Sequence, residues 1–295
     1  MITIPNNNLS VLPWYSSIEQ QNARRWWIYG RVYPLFTPAM FMLPFQIIRE
    51  HRENAPIVEF KVYTKYGILI GDFTQAISEA GITIKPFVSD GYDVIVFPGE
   101  FPVFTNFSNG QYYATLSDGT ETWYSEVFTV VNDIQPYLKI TWWDSEDFVM
   151  DAGTIVYKDP AFKNVLYLDA TIAKPEYPFE EEGETRDGYF FPIKQVSEKR
   201  FKFKFLASEY LLDVMRFIRM ADFATIEFHG NSYKPDTFLI TPEWEDNGDV
   251  AAVEAEFDTA TVAKKIGRGY VQVQGQAFDN GYNYEFDSPD TYEEQ

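Results

Sequence analysis

Period-2 alternation of apolar and polar positions dominates the chain from residue 57 onward, and it predicts strands. In Ile57-Val58-Glu59-Phe60-Lys61-Val62-Tyr63, Val58, Phe60 and Val62 take one face and Glu59 and Lys61 the other. Val94-Ile95-Val96-Phe97, Gln111-Tyr112-Tyr113-Ala114-Thr115-Leu116 and Trp123-Tyr124-Ser125-Glu126-Val127-Phe128-Thr129-Val130 follow, separated by turn residues. Asp118-Gly119 between two such runs is a hairpin signal, because both positions tolerate positive φ. Further on, strands are expected at 137–143, 164–170, 224–228, 238–240 and 250–257, with a turn at Asp246-Asn247-Gly248-Asp249. Arg200-Phe201-Lys202-Phe203-Lys204-Phe205-Leu206 puts its phenylalanines on one side and its lysines on the other. One segment breaks the rhythm. After Ser208 as N-cap, Leu211, Leu212, Met215 and Ile218 fall at helical spacing and predict a helix over 208–220 packed on the Phe201, Phe203 and Phe205 face.

The expected fold class is therefore mainly β, with two antiparallel β-sandwich-like domains, the second carrying one packed α-helix. The boundaries read as an irregular, aromatic and Pro-rich arm over 1–54, a sandwich over 55–131, a β-rich domain over 132–265 and an acidic tail over 266–295. Deleting residues 1–54 is expected to impair assembly more than folding.

Composition narrows the chemistry. The chain has 295 residues, a formal net charge of −20, two histidines and no cysteine, so disulfides, thiolate zinc sites and cysteine nucleophiles are excluded. The charge repels phosphate at long range and argues against nucleic acid as a partner. No apolar stretch approaches the roughly 20 residues that span a bilayer, and the start has no signal-peptide pattern. The expectation is a soluble protein with no cofactor and no membrane contact. His51 and His229 read as ordinary structural histidines. The acidic groups Asp144, Glu146, Asp147 and Asp151, and Glu180-Glu181-Glu182-Gly183-Glu184, lack the spacing of an EF-hand loop and read as solvated loops. Trp26-Trp27 and Trp142-Trp143 are the sugar-stacking candidates. Adjacent residues of a strand face opposite ways, so one of each pair at most lines a given surface. Carboxylate pairs keep a glycoside hydrolase open as a third reading, behind a carbohydrate-binding module that recognises a surface glycan of the bacterial host as its partner.

Three resemblances bear on this pattern. Gly110-Gln111-Tyr112-Tyr113-Ala114-Thr115-Leu116-Ser117-Asp118-Gly119 and Trp123-Tyr124-Ser125-Glu126-Val127-Phe128-Thr129-Val130 resemble the last hairpin of a fibronectin type III or immunoglobulin-like module, which implies fold and display rather than chemistry. Leu9-Ser10-Val11-Leu12-Pro13-Trp14-Tyr15-Ser16-Ser17-Ile18-Glu19-Gln20-Gln21, the strand from Trp123 to Phe128, and Ser197-Glu198-Lys199-Arg200-Phe201-Lys202-Phe203 to Tyr210-Leu211-Leu212 resemble proteins of Bacteroidetes phages and prophages that sit among tail and other virion structural proteins. The strand at 200–206, the helix at 208–220, the strand at 223–228, Tyr233 and the hairpin of 237–243 with 251–257 look like the tail-tube type of β-sandwich that distal tail proteins use to form a ring. Together they imply a non-enzymatic structural component of a bacteriophage virion, in its tail or tail tip. Such a protein assembles in the host cytoplasm with itself and with other virion proteins. Expected contact residues are Trp14, Tyr15, Arg24, Arg25, Trp26, Trp27, Tyr33, Phe36, Lys264 and Lys265. With a subunit charge of −20, contact faces must be locally apolar or charge-matched.

Overall fold

The computed structural model describes residues 10–24, 35–86, 92–99, 107–145, 148–149, 155–156, 162–244, 250–259 and 263–266. The chain is mainly β, and its described strands form several antiparallel sheets. It divides into two compact units. The first holds Met1–Glu176 and Lys199–Ala260, and the second holds Tyr177–Glu198 and Thr261–Gln295.

In the first unit, the long strand Gly110–Ser117 is buried from Tyr112 to Leu116 and organises the largest sheet. Glu59–Thr64 pairs along one edge of it. Its other edge is shared: Thr122–Ser125 pairs with the Thr115–Ser117 end and Phe128–Val131 with the Gly110–Tyr112 end. The run read as one strand over 123–130 is thus two, because the backbone turns aside at Glu126 and Val127. The Glu126 amide donates to the Pro13 carbonyl at 2.8 Å, the Val127 amide to Glu126 Oε1 at 2.8 Å, and the Ser125 hydroxyl accepts from the Ala114 amide at 2.8 Å. Outside these, Trp14–Tyr15 adds to Thr122–Ser125, and Leu35–Pro38 runs parallel to Phe128–Val131, a parallel pair in an otherwise antiparallel sheet.

A three-stranded sheet places Tyr92–Phe97 between Phe45–Glu50 and Thr83–Pro86. Tyr92–Phe97 is covered on both faces: Ile95 and Phe97 join the main core, while Val94 and Val96 pack with Ile48 and Phe162. That explains a continuous apolar run where a half-buried strand would alternate. Leu138–Trp143 lies between Asn164–Leu168 and Phe223–Phe228, and Asn231–Tyr233 extends that sheet. In the last sheet, Val250–Thr259 is flanked by Arg200–Ser208 and Pro235–Trp244. Phe201, Phe203 and Phe205 are buried, while Lys202 and Lys204 face out and pair with Glu176 at 3.1 Å and Glu254 at 2.9 Å.

The helix after that strand runs Glu209–Met215 and continues as a 3-10 turn, Arg216–Arg219. Ser208 occupies the N-cap position with an extended backbone, but its hydroxyl makes no capping bond. Leu211, Val214, Met215 and Ile218 share one core with the Phe201, Phe203 and Phe205 side chains. Two further helices, Ile18–Arg24 and Thr74–Glu79, are too short for their periodicity to register in sequence.

The same core cluster includes Val11, Leu12, Trp14, Leu35, Met42, Phe45 and Ile47 from the N-terminal 54 residues. It also includes Phe60, Leu116, Ile140 and Phe257. The described parts of 1–54 contribute three strands, a helix and core side chains to this body and are not a separate arm. One core also runs across the boundary read at 131/132.

The second unit holds a long hairpin, Phe179–Arg186 with Tyr189–Ser197, and Ala263–Ile266 pairs with its second strand. Its turn is Asp187-Gly188, at φ +51 and +82, a two-residue loop whose left-handed geometry suits these residues. Residues 177–197 thus belong to this second unit and not to one domain over 132–265. The turn at 246–249 and the tail beyond Ile266 lie outside the described residues.

Candidate functional site

Of the expected contact residues, Trp14 and Tyr15 are buried within the first unit. Trp14 is 1% exposed, with its ring 4.7 Å from that of Phe45. The Tyr15 hydroxyl donates to Glu126 Oε2 at 2.9 Å, and the Gln21 side-chain amide donates to the Ser125 carbonyl. Trp14 and Tyr15 therefore serve an internal clasp that holds the N-terminal segment on the strand break at 125–127. Phe36 is half-buried and packs on Tyr137 at 4.5 Å. Arg24 ends the helix Ile18–Arg24. Lys264 and Lys265 lie in a strand paired with Val196 and Gln195. Arg25, Trp26, Trp27 and Tyr33 lie outside the described residues.

A charged network that sequence reading passed over sits beside this core. The stretch Arg49-Glu50-His51-Arg52 looks like a solvated run, yet Arg49 is 3% exposed. Its Nη1 donates to Asp118 Oδ2 at 2.7 Å and its Nη2 to the Ala55 carbonyl at 2.8 Å, with Asp93 Oδ2 at 3.7 Å. Arg52 donates to the same Asp118 oxygen at 2.8 Å and to Glu121 at 2.7 Å, and His51 Nδ1 lies 2.9 Å from Asp93 Oδ1. The other Asp118 oxygen takes the Thr120 and Glu121 amides. Burial alone would raise the Asp118 carboxyl. Those two amides and the two guanidinium groups outweigh it and hold the carboxyl below its ordinary value. The network ties Phe45–Glu50 to the hairpin between Gly110–Ser117 and Thr122–Ser125, so Asp118 does more than turn the chain.

The tryptophan pair divides as alternation requires. Trp142 is buried in the core. Trp143, on the other face, stacks on Phe223 at 5.4 Å, and the Lys163 ammonium stands 5.0 Å from its ring centre. Trp143 spends its ring on contacts within the chain. Beside it, the Asp222 amide donates to Asp144 Oδ1 at 2.8 Å, and the Ser145 amide and hydroxyl donate to Asp222 Oδ2 at 3.0 and 2.6 Å. Burial raises the Asp144 carboxyl, and the Asp222 carboxylate adds to that against the bond from the Asp222 amide. The hydroxyl and amide of Ser145 lower Asp222. This knot joins the end of Leu138–Trp143 to the start of Phe223–Phe228. Glu146, Asp147 and Asp151 lie outside the described residues. Glu180, Glu181, Glu182 and Glu184 line an exposed strand rather than a loop. Among the described residues no group of three or more acidic or histidine side chains is placed to hold a metal ion. His229 forms a tight turn with Gly230, at φ +47 and +77, its ring edge-on to Phe228.

Exposed apolar side chains gather elsewhere. Leu69–Asp72 pairs with Glu59–Thr64 on one side, and among the described residues nothing pairs with its other side. Tyr66 (75% exposed), Ile68 (65%), Leu69 and Ile70 project from this hairpin. In the second unit Tyr177, Phe179, Tyr189 and Phe190 are likewise exposed. The sequence signals were present. Tyr66-Gly67 precedes an apolar run that Gly71-Asp72 stops, and Asp187-Gly188 separates two strand-like runs. Neither run alternates cleanly, which is why periodicity misses them. Compared with known proteins, the chain matches no family model, and no curated protein matches it.

Proposed function

We propose that the chain is a non-enzymatic structural subunit that assembles with copies of itself and with other proteins through exposed apolar β-edges. The setting implied by the sequence resemblance is a bacteriophage virion, in the tail or tail tip. The observation that carries this reading is the hairpin around Leu69–Asp72. An edge strand offers unpaired backbone donors and acceptors, and natural proteins normally blunt such edges with charge or cover them. Here Ile68, Leu69 and Ile70 stand at the edge instead. Complete burial of such a side chain is worth roughly 1.5–3 kcal/mol, and covering the exposed half of each of these adds about half of that. Most of the outer face of Arg200–Ser208 and Val250–Thr259 is the opposite kind of surface, charge-paired at Lys202 and Lys204 and suited to water, with Leu206 the exposed apolar exception.

Light scattering coupled to size exclusion, run across a concentration series with and without candidate tail partners, tests the reading. The expected result is a discrete, concentration-dependent oligomer that Ile68→Lys with Leu69→Lys dissociates, with the circular dichroism spectrum unchanged. A wild-type chain that stays monomeric even with the partners added would overturn it.

A further inference from the structure

We propose that a pocket in the first unit binds a small amphipathic carboxylate whose head group sits on the Lys139 ammonium. The pocket, of about 310 Å³, is lined by Thr37, Pro38 and residues 41–44 on one side and by Lys139, Val165 and Tyr167 on the other. That volume is at the low end for ligand sites, which suits a short-chain ligand. The inference is independent of the assembly reading.

The second wall is a sheet face. Strand register sets Lys139 between Tyr167 and Glu227, with Val165, Thr141 and Thr225 as the next row on that face. The first wall is preformed. The Phe41 amide donates to the Pro38 carbonyl at 3.1 Å, and the Thr37 hydroxyl donates to the Phe41 carbonyl at 2.9 Å. Met42 and Leu43 are anchored in the core. Pro44 lies so close to Gly99 that a Cβ there would stand 3.1 Å from it, and Gly99 has φ +73. A wall held this way loses little freedom when a ligand arrives.

Lys139 is the one charged residue of the lining, whose other members are apolar apart from Thr37 and Tyr167. Lys139 meets Glu227 at 3.8 Å, a long contact between partly exposed side chains. Such a pair is weak and screened, so a carboxylate held by its own apolar body can compete for the ammonium. One cation in an apolar pocket selects a ligand with an apolar body and a single negative head.

Isothermal titration of the full chain with octanoate, octanol and octyltrimethylammonium tests this. Octanoate is expected to bind saturably and about tenfold more tightly than octanol, with the cation silent. Lys139→Met should bring octanoate down to the octanol level, and Lys139→Arg should retain the preference. Phe41→Trp should weaken both ligands by filling the pocket. Absence of saturable octanoate binding, equal affinity for octanoate and octanol, or an unchanged preference in Lys139→Met would each overturn the proposal. Thermal melts of the variants separate lost binding from lost folding.

Discussion

Replacing Arg49 with alanine is expected to destabilise the protein by about 3 kcal/mol, because it removes the one fully buried cation that Asp118 and Asp93 share and leaves the space of its side chain empty. Asp118 has no side-chain exposure, and Arg49 and Arg52 both donate to one of its oxygens. Arg52 is partly solvated and remains after the substitution, so Asp118 keeps one cation. Asp93 keeps only His51 among the ion-pair partners described for it. At this chain length the loss corresponds to a melting-point drop of roughly 10 °C. Urea unfolding at pH 7 measures it, and a loss below about 1 kcal/mol would mean that water or local rearrangement replaces Arg49.

The same network makes stability depend on pH. Asp118 is held below its ordinary value in the folded state, so its contribution is fully present above about pH 4 and fades as pH falls through the folded value. Asp258 follows the same sign. Bonds from Arg200 lower it first, burial opposes them, and Thr237 adds to the lowering. In Asp118→Asn the neutral amide mimics the protonated acid. The stability gap between wild type and this variant should therefore narrow on going from pH 7 to pH 3, and a gap constant over that range would contradict the assignment.

Trp14→Ala is expected to cost about 3–5 kcal/mol as well, through the cavity left against Phe45. This expectation departs from reading residues 1–54 as an arm for assembly alone. Trp14, Leu35, Phe45 and Ile47 are buried in the main core, and Leu35–Pro38 and Phe45–Glu50 are sheet strands. Removing residues 1–54 should abolish cooperative unfolding rather than leave a folded remainder. Circular dichroism of the truncated chain decides it, and a sharp melt would return the segment to an assembly role.

What could be read from the residues follows from how locally each signal is written. The alternation of Arg200–Ser208 places each side chain on its face without reference to any neighbour, and its phenylalanines and lysines fall as expected. The strand around Phe60 and Val62, the Asp118-Gly119 hairpin and the helix after Ser208 were legible for the same reason. Val58 was not: it lies just before its strand and is exposed. The hairpin at Tyr66–Ile70 and the one turning at Asp187-Gly188 carry local turn signals too, but their apolar residues face solvent, so nothing repeats to betray them.

The remainder depends on partners far away in the chain. Composition and alternation suffice for a mainly β, acidic chain without thiol chemistry, because those properties are sums over residues or periods of two. Whether Trp14 is a contact residue or a core residue turns on Phe45 and the strand break at Glu126, more than 100 residues further on for the latter. Whether Arg49 is solvated or buried turns on Asp118, 69 positions away. Burial and ion pairing are properties of a neighbourhood, and only the folded chain brings these neighbours together.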